Sequence, residues 1–264
     1  MNPDISIITV VYNSEKTIER TIQSVLSQSF NNFEYIIIDG NSTDRTNTII
    51  NTYKSHFKNG IIHITENDSG IYDAMNKGIA LAKGKVIGLL NSDDYYFKDT
   101  LLNVYDAFKN TDGKTVISGE LIFKSDKGEQ LLKTSRERFF KKTNQYKNGV
   151  RHPATFVPKI IYDHVGLFDL NYKIAADAEL IHRIYEANYE FTFLKKPLLV
   201  MSDGGASNSK GLRKQLLKEN KLLLESYCPS VFKRFIYISL AKIRLTTKEI
   251  GAKLIYKYRK MENL

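Results

Sequence analysis

The first 95 residues alternate between short apolar, β-branched runs and amphipathic stretches, and this alternation constrains the fold more than any other feature of the chain. Apolar runs of this length predict buried strands, and the segments between them carry apolar residues at helical spacing. The predicted strands are 5–11, 35–38, 61–64 and 86–90. A β-α-β-α-β-α-β order predicts an α/β fold with a mainly parallel central sheet flanked by helices.

Local signals place the ends of the intervening helices. Asn13-Ser14 is expected to cap the first helix, whose apolar face carries Ile18, Ile22, Val25 and Leu26. Asp44 is expected to cap the second helix, which carries Ile49, Ile50, Tyr53 and Phe57. A third helix is predicted over 71–83, where Gly84 would stop it.

The second half of the chain has a different pattern. Residues 115–135 predict a hairpin that turns at 125–128, and the polar, basic stretch 136–150 is interpreted as a mobile loop. The remaining predictions are a strand over 152–157, a helix over 177–187, a strand over 191–201 broken by Pro197, a loop at 203–208 and a helical tail from 212 with a break at Cys228-Pro229.

Composition narrows the class of protein. The chain has 264 residues, of which 42% are hydrophobic and 26% charged, as in a globular protein with a sizeable core. There is no run of 18 apolar residues, so no transmembrane helix is expected, and the N-terminus shows no signal peptide. The single cysteine, Cys228, excludes an internal disulfide and a thiolate metal cluster, and it fits a reducing cytoplasm.

The net charge of +10 is confined to the C-terminal end. Residues 1–209 contain 25 Lys and Arg against 25 Asp and Glu, whereas residues 210–264 contain 14 against 4. A basic tail on a neutral body indicates an anionic partner, either a nucleic acid or an anionic membrane. The alternative is a solvated helix face without a partner.

Polar residues follow each of the four predicted strands at its carboxyl end, where ligands bind in open α/β sheets. They are Thr9, Tyr12 and Asn13; Asp39; Glu66 and Asp68; and Asn91, Asp93 and Asp94. Hard carboxylate oxygens suit Mg²⁺ or Mn²⁺ beside a substrate phosphate, although an Asp-rich turn is the alternative interpretation. No Gly-x-Gly-x-x-Gly and no phosphate loop ending in Gly-Lys-Ser/Thr is present, which disfavours a dinucleotide cofactor and a P-loop enzyme.

Several segments together resemble the family 2 glycosyltransferases with the GT-A fold. The matching pieces are IITVVYN at 7–13, IIDGNSTD at 37–44, LNSDD at 90–94 and ENDSGIYDAMNKG at 66–78, and the last resembles a subgroup that acts in bacterial surface-polysaccharide assembly, of the O-antigen or capsule type. The resemblance covers about residues 4–209. It implies an inverting transfer of a sugar from a nucleoside diphosphate donor, with Mn²⁺ or Mg²⁺ as cofactor.

The resemblance also implies roles for individual residues on the donor side. Thr9, Val11, Asn13 and Glu15 match positions that contact the base and ribose, Asp39 matches the carboxylate that binds the base (usually uracil), and Asp68 and Lys77 match the segment along the nucleotide and donor sugar. Asn91-Ser92-Asp93 occupies the metal-binding position, with Asp93 as the expected metal ligand and Asp94 as its support. Asn91 departs from the usual Asp, which predicts a coordination shell with fewer carboxylates.

On the acceptor side, the resemblance implies Asp177 as the general base that takes the proton of the attacking hydroxyl. From the residues alone a helix N-cap is the favoured interpretation of Asp177, and the resemblance shifts it to the base. Ala176 replaces a usual Glu, and Glu179 is the nearest candidate to compensate. His152 and Arg151 match positions on the acceptor side, and the 203–208 loop resembles one that closes over the donor diphosphate. Tyr12 and Tyr72 are expected to pack or to stack on a ligand, with packing favoured.

The tail has a membrane as its expected partner. Phe232, Phe235, Ile236, Leu240 and Ile243 recur at helical spacing among basic residues, which is typical of an interfacial helix on an anionic bilayer. The resemblance implies a saccharide on polyprenyl diphosphate as acceptor, at the inner face of the cytoplasmic membrane. The expected organisation is a catalytic domain over 1–209, with a nucleotide-binding half over 1–95 and an acceptor half over 96–209, followed by the basic tail.

Other classes fit less well. A sugar nucleotidyltransferase needs a Gly-rich loop after the first strand, where this chain has Tyr12-Asn13-Ser14. A nucleic-acid-binding protein would use the tail, but the neutral body lacks a basic stripe with interleaved aromatics, so no nucleic acid is expected. A processive synthase needs membrane spans and a Trp-containing motif, and this chain has no Trp. A non-catalytic relative stays open because of Asn91 and Ala176, and the oligomeric state, the donor sugar and the linkage are left open.

Overall fold

The computed structural model describes residues 2–144, 148–203 and 212–239. The strands are β1 Ile5–Val11, β2 Phe33–Asp39, β3 Ile62–Thr65, β4 Val86–Leu89, β5 Tyr95–Tyr96, β6 Val116–Ser125, β7 Gly128–Leu132, β8 Thr155–Pro158 and β9 Phe191–Ser202. The helices are α1 Ile18–Leu26, α2 Thr46–Tyr53, α3 Ile71–Leu81, α4 Thr100–Phe108, α5 Arg136–Thr143, α6 Lys159–Val165, α7 Ala176–Glu186 and α8 Leu212–Tyr227. Two short 3-10 helices span Lys54–His56 and His152–Ala154.

The first four strands form the parallel part of the sheet, in the spatial order β3-β2-β1-β4. Every residue of β1 is buried, as expected for a central parallel strand covered by helices on both faces. The predicted β-α-β-α-β-α-β order is confirmed over this half, and β1 has the predicted bounds. The carboxyl ends of β1, β2 and β4 therefore lie along one edge of the sheet.

The other half of the sheet is mixed in direction. The order continues from β4 through β8, β6 and β9 to β5, with β7 paired to β6. β8 runs antiparallel to β4 and β6, while β9 runs parallel to β6 and antiparallel to β5. The predicted α/β fold with helices around a central sheet is confirmed, and parallel pairing is found among β1–β4 and between β6 and β9. The hairpin of β6 and β7 is also confirmed.

Two predicted helix ends were wrong. Ser14 does not cap α1, because α1 begins at Ile18 and the Ser14 hydroxyl instead bonds the carbonyl of Tyr12 at 3.2 Å and the Ser92 hydroxyl at 2.9 Å. The second helix ends at Tyr53, so Phe57 lies beyond it. Asp44 does satisfy the start of α2, since its Oδ1 accepts the backbone N–H of Thr46 at 3.0 Å.

The stretch interpreted as a mobile loop contains a helix. α5 is capped by Ser135, whose hydroxyl accepts the N–H of Arg138 at 3.1 Å. It is anchored by Phe139, which is almost fully buried and lies 4.3 Å from the Phe191 ring centroid and 5.6 Å from that of Phe193. The sequence does not reveal this helix, because its residues are mostly basic or polar and Phe139 is the apolar residue that it buries.

The second half of the sheet shows two further differences in detail. The strand predicted over 152–157 begins as a 3-10 helix and becomes β8 only at Thr155. β9 continues through Pro197, where the pairing register with β6 shifts around Glu120. A proline lacks the N–H that a sheet ladder needs, which explains an irregularity there. The helix predicted over 177–187 is confirmed as α7.

The chain divides into two compact units, residues 1–205 and 206–264. In the second unit, α8 is followed by a break at 228–230 and a helical segment over 231–239, as the sequence predicts. Leu240 and Ile243 of the predicted interfacial helix, and residues 204–208 of the predicted closing loop, lie outside the described residues. Among the residues that the structure describes, no helix is long and apolar enough to cross a membrane.

Candidate active site

The candidate site lies at the edge where β1, β2 and β4 end. Asp39 is the last residue of β2 and is fully buried. Its Oδ2 accepts a hydrogen bond from the Asn47 side-chain amide at 2.9 Å, and Ser42 donates both its N–H and its hydroxyl to the same carboxylate. Asp39 therefore organises the loop between β2 and α2. Sequence reasoning did not single out Ser42 and Asn47, although IDGNSTD contains the first of them.

The loop after β1 is fastened to the loop after β2. The Asn13 N–H donates to the Ser42 hydroxyl at 2.8 Å, and the Asn13 side-chain oxygen accepts the Thr43 N–H at 2.9 Å. Glu15 Oε2 accepts the N–H of Arg45 at 3.0 Å. Asn13 has a φ of 47°, a left-handed conformation that Asn tolerates better than most residues. Asn13 and Glu15 thus shape the rim of the predicted nucleotide site.

Thr9 and Val11 lie beneath this rim. The Thr9 side chain is fully buried and its hydroxyl accepts a hydrogen bond from the buried Tyr35 phenol at 3.1 Å. Val11 is 4% exposed, and its carbonyl accepts the N–H of Gly40 at 2.9 Å. Both residues therefore support the site through the core and through the backbone, and their side chains do not form its surface.

Tyr12 and Asp68 lie beside Gly40. Packing was favoured over stacking for Tyr12, and this was wrong, because its side chain is 62% exposed. A Cβ on Gly40 would lie 2.5 Å from Asp68 Oδ2 and at an ordinary contact distance of 3.5 Å from Tyr12 Cδ2, so a side chain at position 40 would displace the Asp68 carboxylate. An exposed ring beside a carboxylate can stack on a planar base and bind its edge. Tyr72, in contrast, does pack: its ring lies 5.2 Å from Phe168.

Lys77 lies on α3 in a separate cluster of charges. Its ammonium group lies 3.0 Å from a Glu66 oxygen and 3.7 Å from an Asp73 oxygen, and it donates to the carbonyl of Asn67 at 2.7 Å. The hydrogen bond that the Lys77 ammonium donates to Glu66 raises the pKa of Lys77, so the side chain stays charged. Lys77 therefore holds the segment that carries Asp68.

The residues after β4 form a tight turn that is held from two sides. The Thr21 hydroxyl donates to the carbonyls of Ser92 and Asp94, at 2.9 and 2.7 Å. Asp94 accepts the Asn91 amide at 3.1 Å on one oxygen and the Ser202 N–H at 3.0 Å on the other. Asn91 therefore helps to orient Asp94, and Asp94 ties this turn to the end of β9.

Arg20 reinforces the same connection. Its guanidinium donates to the carbonyl of Asp93 at 2.7 Å and to the Ser202 hydroxyl at 3.0 Å, and it lies over the Tyr95 ring at 4.4 Å. The Ser202 hydroxyl also donates to the Asp93 carbonyl at 2.8 Å. Sequence reasoning missed Arg20, because nothing in an amphipathic helix shows which neighbour an exposed arginine meets.

Asp93 and Asp94 have environments that favour cation binding. Burial raises the pKa of the Asp93 carboxyl. Burial, followed by the charge of Asp93, raises the pKa of Asp94 to about 7. The Asp93 carboxylate oxygens accept no hydrogen bond from another described residue, which leaves them available to a ligand. The described residues contain no group of three or more His, Cys, Asp and Glu placed to hold a metal, so Asp93 is the candidate ligand among them.

Asp177 begins α7 but does not cap it. The N-cap residue is Ala175, which places Asp177 at the second position of the helix. Its Oδ2 accepts a 2.7 Å hydrogen bond from the Asn148 side-chain amide. Ala176 is fully buried, and both oxygens of Glu179 accept hydrogen bonds from Arg183 at 2.7 Å. Glu179 is therefore engaged in an ion pair within α7.

His152 and Arg151 lie beside Asp177 and α5, respectively. Burial lowers the pKa of the His152 imidazole, and the charge of Asp177 partly opposes this shift. The His152 ring contacts the Phe168 ring edge to face, with centroids 5.6 Å apart. Burial and then the charge of Arg138 lower the pKa of Arg151. The structure thus brings Asn148, His152 and Asp177 together, and Asn148 was missed because it lies in the supposed loop.

Comparison with known proteins agrees with this arrangement. The family model described as "Glycosyl transferase family 2" matches residues 6–162. A "PGL/p-HBAD biosynthesis glycosyltransferase" of Mycobacterium bovis is 28% identical over 176 residues, which cover 66% of this chain and 67% of that protein. The "Minor teichoic acid biosynthesis protein GgaB" of Bacillus subtilis is 28% identical over 202 residues, 74% of this chain but only 22% of that protein.

Solved structures show the same fold at low identity. TarS 1–349 of S. aureus in complex with UDP-GlcNAc has a TM-score of 0.65 at 18% identity, over 89% of this chain and 70% of that chain; against a longer TarS chain the match spans 41%. The mannosyltransferase PcManGT from Pyrobaculum calidifontis, in complex with GDP-Man and Mn²⁺, has a TM-score of 0.65 at 14% identity, over 100% and 81% of the two chains. The chain therefore has the GT-A fold and belongs to glycosyl transferase family 2, a family of enzymes that transfer sugars.

Proposed function

We propose that this protein transfers a sugar, with inversion, from a nucleoside diphosphate donor to a lipid-linked saccharide in the synthesis of a cell-surface polymer. The observation that carries the proposal is the Asp93 carboxylate, which is half-buried at the exit of β4 and accepts no hydrogen bond from another described residue. A carboxylate that is partly withdrawn from water without such a partner is costly unless a ligand compensates its charge. A divalent cation with a donor diphosphate is such a ligand.

The donor site that fits is the edge of β1, β2 and β4. The exposed Tyr12 ring and the Asp68 carboxylate lie beside Gly40, where they could stack on a planar base and bind its edge, and Asp39 orients the adjoining loop. We assign UDP as the nucleotide. TarS, which has the same fold, is described in complex with UDP and with UDP-GlcNAc, whereas PcManGT is described with GDP-Man. Because PcManGT is described with a GDP-sugar, the experiment below compares UDP-sugars with GDP-sugars.

Asp93 is the residue that would hold Mn²⁺ or Mg²⁺ directly, and Asp94 would support it. An arrangement with few protein carboxylates suits Mg²⁺ and Mn²⁺, which keep several waters and bind substrate phosphates. When bound, such an ion stabilises the charge that develops on the leaving diphosphate. The turn is prearranged for this, because Thr21, Arg20 and Ser202 hold its backbone carbonyls and keep the two carboxylates at the strand end.

Asp177 is the general base in this proposal. A base must lie within hydrogen-bond reach of the acceptor hydroxyl and be ionised when the hydroxyl attacks. Asp177 is partly exposed, its Oδ2 is occupied by Asn148, and its Oδ1 accepts no hydrogen bond from a described residue. The other acidic side chain of this turn, Glu179, is held by Arg183. His152 and Arg151 are the adjoining acceptor-side residues.

The helical segment 231–239 supports the proposal of a membrane-bound acceptor at the inner face of the cytoplasmic membrane. Val231, Phe232, Phe235 and Ile236 are exposed, by 74%, 74%, 71% and 38%. At 100° per residue these four side chains share one face of the helix, and Lys233 and Arg234 lie beside it. An exposed apolar face flanked by basic residues is the arrangement of an interfacial helix on anionic lipid.

A donor screen tests the proposed function. The full chain would be incubated with UDP-, GDP- and dTDP-sugars, Mn²⁺ or Mg²⁺, and short-chain lipid diphosphate saccharides, and release of nucleoside diphosphate would be measured. We expect release from a UDP-sugar that depends on both the metal and an acceptor. Failure to bind any nucleoside diphosphate would contradict the proposal.

A further inference from the structure

We propose that Tyr72 and Asn76 are positioning residues for Asp177, which they hold in place through the chain segment that leads to it. This inference rests on the proposed function, because it takes Asp177 as the general base. It adds two residues of α3 that act on the transfer step through the base, although both belong to the segment 66–78, which the resemblance places on the donor side.

The segment that leads to Asp177 has no regular structure of its own. Residues 166–175, the α6–α7 connection, belong to no helix or strand. Asp177 lies just beyond this connection, at the second position of α7. Backbone groups in such a connection need partners from elsewhere in the fold, and those partners decide where it lies. The position of the Asp177 carboxylate therefore depends on what holds the connection.

Asn76 binds the α6–α7 connection through both ends of its side-chain amide. The amide N–H donates to the carbonyl of Phe168 at 2.9 Å, and the amide oxygen accepts the N–H of Phe168 at 2.9 Å. Two bonds exchanged with one residue fix its orientation as well as its distance, as in the paired bonds of a sheet ladder. Asn76 thus holds the connection near its start.

Tyr72 binds the same connection close to the base. Its hydroxyl donates to the carbonyl of Ile174 at 2.7 Å, three residues before Asp177 in the chain. The Tyr72 side chain is buried, and its ring lies 5.2 Å from the Phe168 ring. This bond fixes the backbone immediately before α7 begins. Together with Asn76, Tyr72 therefore holds the connection at two points.

The other two polar side chains of this part of α3 bind the donor side. Asp73 accepts the N–H of Ser69 at 2.9 Å, and Lys77 donates to the carbonyl of Asn67 at 2.7 Å. Ser69 and Asn67 are the two neighbours of Asp68 in the chain. The contacts of Asp73 and Lys77 therefore hold the loop that carries Asp68.

The two pairs form adjacent rows on one helix. The members of each pair are four residues apart, and the rows are offset by one residue, which is about 100° around the helix. The helix is itself fixed against the sheet, because a Cβ on Gly78 would lie 2.4 Å from Ile8 Cγ2. One row thus holds the donor loop and the next row holds the connection to Asp177. Loss of the second row should therefore disturb the base and leave nucleotide binding intact.

Steady-state kinetics on the full chain, with the substrates found in the donor screen, and calorimetry with UDP and Mn²⁺ test this separation. Tyr72→Phe removes only the hydroxyl, and Asn76→Asp keeps the size of the side chain but sets a carboxylate against the Phe168 carbonyl. We expect each variant to lower kcat about 10- to 100-fold and to leave the affinity for UDP unchanged. A lower UDP affinity with wild-type kcat would overturn the inference.

A double-mutant cycle separates positioning of the base from a general loss of structure. In the Asp177→Asn background, Tyr72→Phe and Asn76→Asp should lower the residual rate no further, because the group that they position is already lost. Tyr105→Phe on α4 and Asn51→Asp on α2 are the same changes away from the connection, and they should leave kcat unchanged.

The remaining outcomes distinguish this inference from the proposed function. Wild-type kcat in both α3 variants, or rate losses that multiply with that of Asp177→Asn, would overturn the inference alone. If the wild type transferred no sugar, the proposed function would fail, and hydrogen exchange of the backbone amides of 166–180 would still test the contacts. Faster exchange in the Tyr72→Phe, Asn76→Asp double variant than in the wild type would support their hold on this segment, and equal exchange would overturn it.

Discussion

Asp177 and Asn148 are joined by a hydrogen bond of 2.7 Å from the amide of Asn148 to Oδ2 of the carboxylate. The bond ties the first turn of α7 to the loop that follows α5. In the proposed function, Oδ1 is the oxygen left for the acceptor hydroxyl. A base that must meet its substrate at hydrogen-bond distance depends on such positioning.

We therefore predict that Asn148→Ala lowers kcat about tenfold and leaves the KM for the donor unchanged. The variant loses the hydrogen bond that orients Asp177, whereas the nucleotide site is unchanged. Steady-state kinetics with a saturating acceptor measures both constants. Asn144→Ala, the same change at an exposed residue just after α5, serves as control. A change in the KM for the donor with an unchanged kcat would show that Asn148 does not act through Asp177.

Replacing the base itself should separate catalysis from binding. Asp177→Asn retains the size of the side chain but cannot accept the proton, so transfer should fall about 10²- to 10⁴-fold. UDP affinity, measured by calorimetry, should stay within about twofold of the wild type. Asp163→Asn, which alters an exposed carboxylate on α6, should have wild-type activity. Normal turnover by Asp177→Asn would remove this residue from the mechanism.

The strands and helices of the parallel half can be predicted from local sequence patterns, whereas those of the acceptor side cannot. β1 is predictable because seven consecutive buried residues are mostly β-branched and end in a polar loop. α5 is not, since its one deep anchor, Phe139, contacts Phe191 and Phe193, which are distant in sequence. Its helical state is decided by tertiary packing, and a single sequence does not show that packing.

The candidate site likewise contains residues that can be located from the sequence and residues that cannot. Asp39, Asp93 and Asp94 could be located because each ends or follows an apolar strand. Arg20 and Asn148 could not, because each acts through a partner more than 28 residues away in the chain. The exposure of Tyr12 was predicted wrongly for a related reason. Whether an aromatic residue at a strand end packs in the core or faces a ligand depends on its neighbours in space, which the sequence does not show.

The raised pKa of Asp94 predicts a pH-dependent stability. Its folded-state pKa of about 7 lies above the ordinary aspartate value of 3.8, so its contribution to stability is fully present below about pH 4 and is lost as the pH rises through 7. The difference amounts to roughly 4 kcal/mol if Asp94 titrates alone.

Asp94→Asn stays neutral and should therefore gain in melting temperature relative to the wild type as the pH is raised from 5 to 8. Thermal unfolding in EDTA at the two pH values measures this difference without metal. A melting-temperature difference between variant and wild type that is the same at pH 5 and pH 8 would show that Asp94 is not perturbed in this way.

The exposed apolar face of 231–239 predicts binding to anionic membranes. Phe232→Glu with Phe235→Glu should abolish sedimentation with vesicles that contain anionic phospholipid, because it removes the inserted rings and adds two negative charges. Binding of the wild type should weaken with added salt. Lys195→Glu with Lys196→Glu, on exposed residues of β9 in the first unit, serves as control. This double variant changes the net charge more than the two Phe→Glu substitutions do, but it should reduce vesicle binding less. Equal binding by both double variants would contradict a role for the tail.

Asp93 is proposed to hold a divalent cation for a nucleoside diphosphate, and titration of UDP into the full chain, once with Mn²⁺ and once with EDTA, measures this. We expect Mn²⁺ to tighten UDP binding to the wild type, and Asp93→Asn to lose at least about 10- to 100-fold of this gain, while its affinity in EDTA is unchanged. UDP binding that is equally tight with Mn²⁺ and with EDTA, or an Asp93→Asn variant with the full metal effect, would contradict it.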